Sequence, residues 1–232
     1  MTFLTAYWKN LLFINYEIDP KILEPYVPRG TKLDIFNGKC YVSVVGFMFM
    51  DAKVLGLKLP GHVNFEEVNL RFYVKYGQKR GTVFIKEIVP KPFITLVANS
   101  FYHEHYQTCK MRHNWTETAK HKTFEYQWKV KNQWQTVGVT TETEPTKIEI
   151  NSEEQFITEH YFGYTKYKSK TFQYEVVHPI WDILKVQDYK VDMDFQLNYG
   201  KPFSFLNQAK ATSVILAIGS EVSVKNKSTV HN

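Results

Sequence analysis

The chain has 232 residues, enough for one large domain or two small ones and for a substantial apolar core. Its composition, 44% hydrophobic and 16% aromatic, excludes a disordered chain, and Tyr, Phe, Val, Ile and Thr in short runs favour β structure. The formal charge of +6 is carried almost wholly by lysine, because Arg29, Arg71, Arg80 and Arg112 are the only arginines; without arginine forks or a long basic run, no nucleic-acid partner is expected.

In chain order, the opening MTFLTAYWKNLLFINYEID has LLFI as its longest apolar run, too short for a signal segment, and no stretch approaches a transmembrane span. A cytoplasmic protein with no membrane partner is therefore expected. A strand is predicted over 11–18. Asp19 followed by Pro20 reads as an N-cap with proline at the first helical position, giving one or two helical turns. Turn signals at Pro28-Arg29-Gly30, Asn37-Gly38, Pro60-Gly61, Tyr76-Gly77, Arg80-Gly81 and Pro90-Lys91-Pro92 separate strands predicted over 40–50, 66–76 and 82–89. Further strands are predicted over 122–130, 135–143, 171–178 and 211–224. Ser152 with Gln155 makes a capping box for a helix that carries Phe156, Ile157, His160 and Tyr161 on one face and ends at Gly163. Cys40 and Cys109 form no C-x-x-C and no disulfide framework. The expectation is one mainly β (α+β) domain spanning 1–232, a barrel or sandwich with a few short peripheral helices.

The segment EEVNLRFYVKY (66–76) is the most informative strand. With a period of two, Val68, Leu70, Phe72 and Val74 share one face and Glu67, Asn69, Arg71 and Tyr73 the other. The second face either meets water or lines a ligand cavity. In a cavity, Arg71 supplies a fork of donors for a carbonyl or carboxylate, and Glu67 supplies an acceptor or general acid.

The chain resembles the YqjF-like family of uncharacterised bacterial proteins, itself a distant relative of acetoacetate decarboxylase. The resemblance is carried by Trp8, Leu11 and Phe13, by LEPYVPRGTKLDIFNGKCYVSVVGF, by FEEVNLRFYV and GTVFIKEIV, by FITEHYFGYT, and by His178-Pro179-Ile180-Trp181. It implies an acetoacetate-decarboxylase-like fold: a curved, mostly antiparallel β-barrel enclosing a pocket to which the Glu67 strand contributes.

The decarboxylase's chemistry does not carry over with the fold. That family forms a Schiff base on one lysine whose pKa is lowered by a second. The equivalent stretch here, Ala98 to Gln107, holds no lysine, and the nearest is Lys110. The family's arginine ahead of the first strand falls near Leu11, and only Glu67 or Glu66 matches its glutamate. Lys86, between Phe84 and Ile88, is the one lysine that strand alternation could turn into the cavity.

Within that stretch, His103-Glu104-His105 raises two alternatives. As a His-x-His pair on a strand it begins a metal site, giving a metal-dependent barrel enzyme. As a turn entering a strand it brings His103, His105 or Tyr106 toward Glu67 and Arg71 for acid–base work. His178, held before Pro179 and Trp181, reads as structural. The expected protein is a small-molecule-binding barrel with Glu67, Asn69, Arg71, Tyr73, His103, His105 and Tyr106 as ligand-binding residues. No cofactor is expected and assembly into a homo-oligomer stays open. A non-catalytic structural or interaction protein is the remaining alternative.

Overall fold

The first strand of the chain, β1 (Thr2–Glu17), is twice as long as its apolar run predicts. In this computed structural model, which describes residues 1–230, its first half pairs on both sides although its sequence is mixed. Asn10 adopts a left-handed φ of 54°, and the register with its neighbour slips between Lys9 and Leu12. Asp19 then accepts a hydrogen bond from the Lys21 N–H and caps α1 (Pro20–Leu23), as the sequence predicts. Four strands follow: β2 (Lys32–Leu33), β3 (Tyr41–Val54), β4 (Phe65–Tyr76) and β5 (Lys79–Val89). The expected turn at Pro90-Lys91-Pro92 instead starts α2 (Pro92–Val97), with Pro92 in its first turn; the helix widens into one π-type turn over 98–102.

Next come β6 (Tyr106–Thr108), β7 (Lys110–Glu117), β8 (Lys122–Val130) and β9 (Gln133–Thr146). The capping box at Ser152 forms as expected, its hydroxyl accepting from the Gln155 N–H, but α3 (Glu153–Thr158) stops well short of Gly163. Gly163 lies instead inside β10 (Phe162–Tyr167), opposite Tyr174 of β11 (Lys170–Val177). A Cβ at 163 would come within 2.1 Å of the Tyr174 ring, so glycine is required there by close approach. The chain ends in β12 (Ile183–Asp192), α4 (Phe195–Tyr199), β13 (Ser213–Lys225) and β14 (Ser228–Thr229).

The sheet order places β3 and β13 on either side of β1, with β4 and β5 following β3. A short parallel contact joins β5 to β10, β10 pairs with β11, and β11 returns to β13 through Val176–Val224 and Val177–Ser223. The curved sheet therefore closes into a ring of seven strands. Beyond β13 the sheet continues through β12, β9, β8 and β7 and folds back over the outside of the ring.

Two cores result. The outer one joins Leu12, Ile14, Val44 and Leu70 of the ring to Tyr126, Trp128 and Val137 of the overlying strands. Gly46 makes this possible, since a Cβ there would meet the Tyr126 ring at 2.9 Å, and the Tyr126 hydroxyl donates to Asn10 O at 2.7 Å. The inner core joins Leu11, Phe13, Phe47, Phe49 and Trp181. Strand β4 thus has no solvent face along 67–74: Val68, Leu70, Phe72 and Val74 enter the outer core, and the polar set points into the ring. Both cysteines are buried free thiols.

Candidate functional site

The ring encloses a cavity of about 140 Å³, comparable with cavities of about 150 Å³ that accept a benzene-sized molecule. Its walls are mainly apolar and aromatic, with Phe47, Phe49 and Phe65 on the sheet, Trp8 and Trp181 at one side, and Phe93 and Ile94 of α2 closing another. Into this apolar space three carboxyl groups project: Glu67, Glu87 and Glu104.

Each arrives by a different local device. Glu67 follows from plain alternation along β4. Glu87 depends on a bulge: Leu70 pairs with Lys86 but Arg71 pairs with Phe84, which leaves Ile85 as an extra residue in β5. Before the bulge, Thr82 and Phe84 face inward; after it the parity reverses, so Glu87 faces inward and Lys86 outward. The Lys86 ammonium accordingly bonds to Asn198 O of α4, away from the cavity. Glu104 comes from the turn after α2. Asn99 clamps that turn by accepting from the Tyr106 N–H at 2.8 Å and donating to the Tyr106 carbonyl at 3.0 Å. His103 takes a left-handed φ of 60°, which turns Glu104 inward.

Inside the cavity the carboxyls are partly satisfied. Asn69 Nδ2 donates to Glu67 Oε1 at 2.9 Å and the Tyr106 hydroxyl donates to Glu67 Oε2 at 3.2 Å. The hydroxyls of Thr165 and Tyr174 both donate to Glu104 Oε1. The Tyr106 hydroxyl also lies against Glu87. Five polar atoms of cavity residues are buried with no partner among the described residues: Trp8 Nε1, Asn69 Oδ1, Arg71 Nε, Glu87 Oε2 and His160 Nδ1. Buried polar atoms without partners are rare in folded chains, and here five of them belong to residues around one cavity.

Burial sets the protonation of these groups. It pushes Glu67 and Glu104 up to about 7; hydrogen bonds pull both back, as does the Arg71 charge for Glu67, while the Glu67 charge adds to the rise at Glu104. Glu87 lies well above the usual carboxylate range, through burial and then the charges of Glu104 and Glu67. Burial lowers His160 and His178 to about 4, so both imidazoles are neutral near pH 7. His160 Nε2 lies 3.2 Å from Asp34 Oδ2, which in turn accepts from Arg80 Nε at 2.6 Å. Near neutral pH the cavity therefore holds carboxyls poised between donor and acceptor states.

Of the residues expected from sequence, Glu67, Asn69, Arg71 and Tyr106 line the cavity together. Tyr73 shares their face, but its hydroxyl is 2.6 Å from Ser43 Oγ and its ring packs on His160, outside the lining. His103 stacks on Tyr167 with ring centroids 3.8 Å apart, and the His105 side chain is exposed while its carbonyl accepts from the Glu87 N–H. Neither imidazole enters the cavity, because the turn aims the residue between them inward. The pair shares no strand face, and no three His, Cys, Asp or Glu side chains among the described residues are arranged to hold a metal ion. His178 stacks on Trp181 at 4.0 Å and also lines the cavity. Sequence reasoning passed over Glu87, Glu104, His160 and Tyr174. A lone acid in the apolar run VFIKEIV was the available signal for Glu87; Glu104 stood in plain view between two histidines.

The curved sheet closed into this ring has an acetoacetate-decarboxylase-like fold. The enduracididine biosynthesis enzyme MppR complexed with pyruvate matches with a TM-score of 0.71 and 10% identity, covering 99% of this chain and 91% of that one. Acetoacetate decarboxylase from Legionella pneumophila matches with a TM-score of 0.67 and 12% identity, over 98% and 87% of the two chains. An acetoacetate decarboxylase-like enzyme from Sphingomonas wittichii RW1 matches at 0.66 and 10%, over 100% and 94%. At such identities the likeness is one of fold. The chain belongs to the DUF2071 family, described as an uncharacterized conserved protein, whose profile matches residues 5–221. The uncharacterized protein YqjF of Bacillus subtilis (strain 168) is 29% identical over 178 residues, which is 75% of this chain and 72% of that protein.

Proposed function

We propose that the protein binds a small carbonyl- or carboxylate-bearing compound inside the ring and transfers protons on it with carboxyl groups, without Schiff-base chemistry. The carrying observation is the set of Glu67, Glu87 and Glu104 buried on the wall of an apolar cavity, two of them held near pH 7. Arg71 offers a free Nε–H to the ligand oxygen, while its Nη2 donates to Ile157 O at 3.1 Å. A protonated Glu67, backed by Asn69 and Tyr106, donates to a carbonyl oxygen, and an ionised neighbour accepts the proton released from the adjacent carbon. Carboxyls in both states at one pH are what general acid–base catalysis requires. A fold neighbour solved with pyruvate supports a ligand of keto-acid size.

The reading is tested by NMR, following exchange of α-protons for deuterium in D2O over a panel of small ketones and keto acids. Wild type should accelerate exchange of at least one compound, and Glu67→Gln should lower that rate by about 10²-fold or more. Binding without acceleration removes the acid–base role and leaves a binding protein. No binding by any member of the panel removes the reading.

A further inference from the structure

Asn69 and Glu87 face each other directly across β4 and β5, on the cavity side, and each is only 2% exposed. The Asn69 amide is oriented by its donation from Nδ2 to Glu67, which leaves Oδ1 free. Two oxygens, Asn69 Oδ1 and Glu87 Oε2, therefore stand without a partner on adjacent cross-strand residues, and both are acceptors once Glu87 has lost its proton. Opposed residues of an antiparallel pair stand about 5 Å apart, so one ligand atom reaches both. A ligand hydroxyl carries one proton and a carboxylate none, whereas a primary ammonium carries three donors on a compact point charge.

Among the described residues that line the cavity, Arg71 is the one Lys or Arg side chain, and its guanidinium already lies over the Phe13 and Tyr73 rings. Lys86 is directed to the outside by the β5 bulge, and Lys227, whose charge acts on Glu104, lies over the Tyr102 and Phe172 rings without lining the cavity. The aromatic walls suit the hydrocarbon and the face of a cation.

We propose that the ligand carries a basic nitrogen, a primary ammonium that docks between Glu87 and Asn69. The inference rests on the small-molecule reading of this cavity and adds the ligand's second functional group. Arg71 is two residues along β4 from Asn69, so the nitrogen and the carbonyl or carboxyl group stand ~6–7 Å apart in the ligand. Because burial favours the proton on Glu87, a cation arriving there displaces it, and binding releases a proton to solvent.

Isothermal calorimetry with three isosteric probes tests this: benzylamine, benzyl alcohol and benzoate, at pH 7 in two buffers of different ionisation heat. Benzylamine is expected to bind at least tenfold tighter than benzyl alcohol and to release a fraction of a proton. Glu87→Gln, whose amide can donate to Asn69 Oδ1, should abolish that preference. Equal affinity for amine and alcohol, preference for benzoate, or a preference that survives Glu87→Gln overturns the ammonium site and leaves the cavity reading standing. Failure of benzylamine to bind also overturns the ammonium site, while the cavity reading falls only if the ketone and keto-acid panel fails to bind as well. The wild-type probe comparison needs no variant, so a poorly folding Glu87→Gln does not protect the inference.

Discussion

Replacing Glu67 by Gln should stabilise the protein several times more at pH 8 than at pH 5. Glu67 is held at about 7 in the fold against 4.5 in an unfolded chain. A carboxyl raised by burial leaves stability untouched while it is protonated in both states and penalises folding once it ionises. The penalty is absent below about pH 4.5, grows as pH rises, and is complete just above 7. At ~1.4 kcal/mol per tenfold change in proton affinity, it reaches about 3 kcal/mol. Gln keeps the shape and can still accept from Asn69 Nδ2 through Oε1, while the Tyr106 hydroxyl can turn to accept from the new amide. Removing this charge also relieves Glu87 and Glu104, both of which it pushes upward.

The wild-type curve alone is not diagnostic, because His160 and His178 act in the opposite sense. Their depressed values cost stability as pH falls from about 6.5 to about 4. Those costs are common to wild type and variant and cancel in the difference. Urea unfolding followed through the five tryptophans measures it directly. With a slope of ~3 kcal/mol per molar, Glu67→Gln should raise the midpoint by about 1 M at pH 8 and by only ~0.3 M at pH 5. An equal gain at both pH values would assign the effect to packing instead of charge, and no gain at pH 8 would refute the burial argument.

Three further outcomes are expected. Asp34→Asn should cost about 2–3 kcal/mol in the same unfolding assay, because Asp34 accepts from Arg80 Nε at 2.6 Å and pairs with His160, and loss of the carboxylate leaves Arg80 uncompensated; a loss below ~0.5 kcal/mol would contradict this. Gly163→Ala should displace Tyr174 from Glu104 and weaken any cavity ligand at least tenfold by calorimetry, with α3 and the outer core intact by circular dichroism; unchanged affinity would show that Tyr174 does not shape the cavity. Lys86→Met should leave ligand affinity unchanged within about twofold, and borohydride with a β-keto acid should leave no adduct by mass spectrometry, since Lys86 points to α4; a trapped adduct lost in Lys86→Met would reverse the assignment of faces in β5.

Strands with apolar runs, and two of the three helices with a side-chain N-cap, were legible in the sequence. Alternation, a proline after Asp19, and a Ser152–Gln155 pair are local signals that act through neighbouring atoms. It also identified the polar face of β4, since a period of two is fixed by the backbone. It could not say whether that face met water; that depended on β11 returning to β13, a contact between residues remote in sequence. Strands such as β7 and β12 were missed because only one side of each is covered and their composition is mixed. Which charges share the cavity was legible only in three dimensions. One extra residue at Ile85 exchanges Lys86 for Glu87, and one left-handed residue at His103 exchanges two histidines for Glu104. A single backbone irregularity reverses which face a side chain takes, and no composition records it.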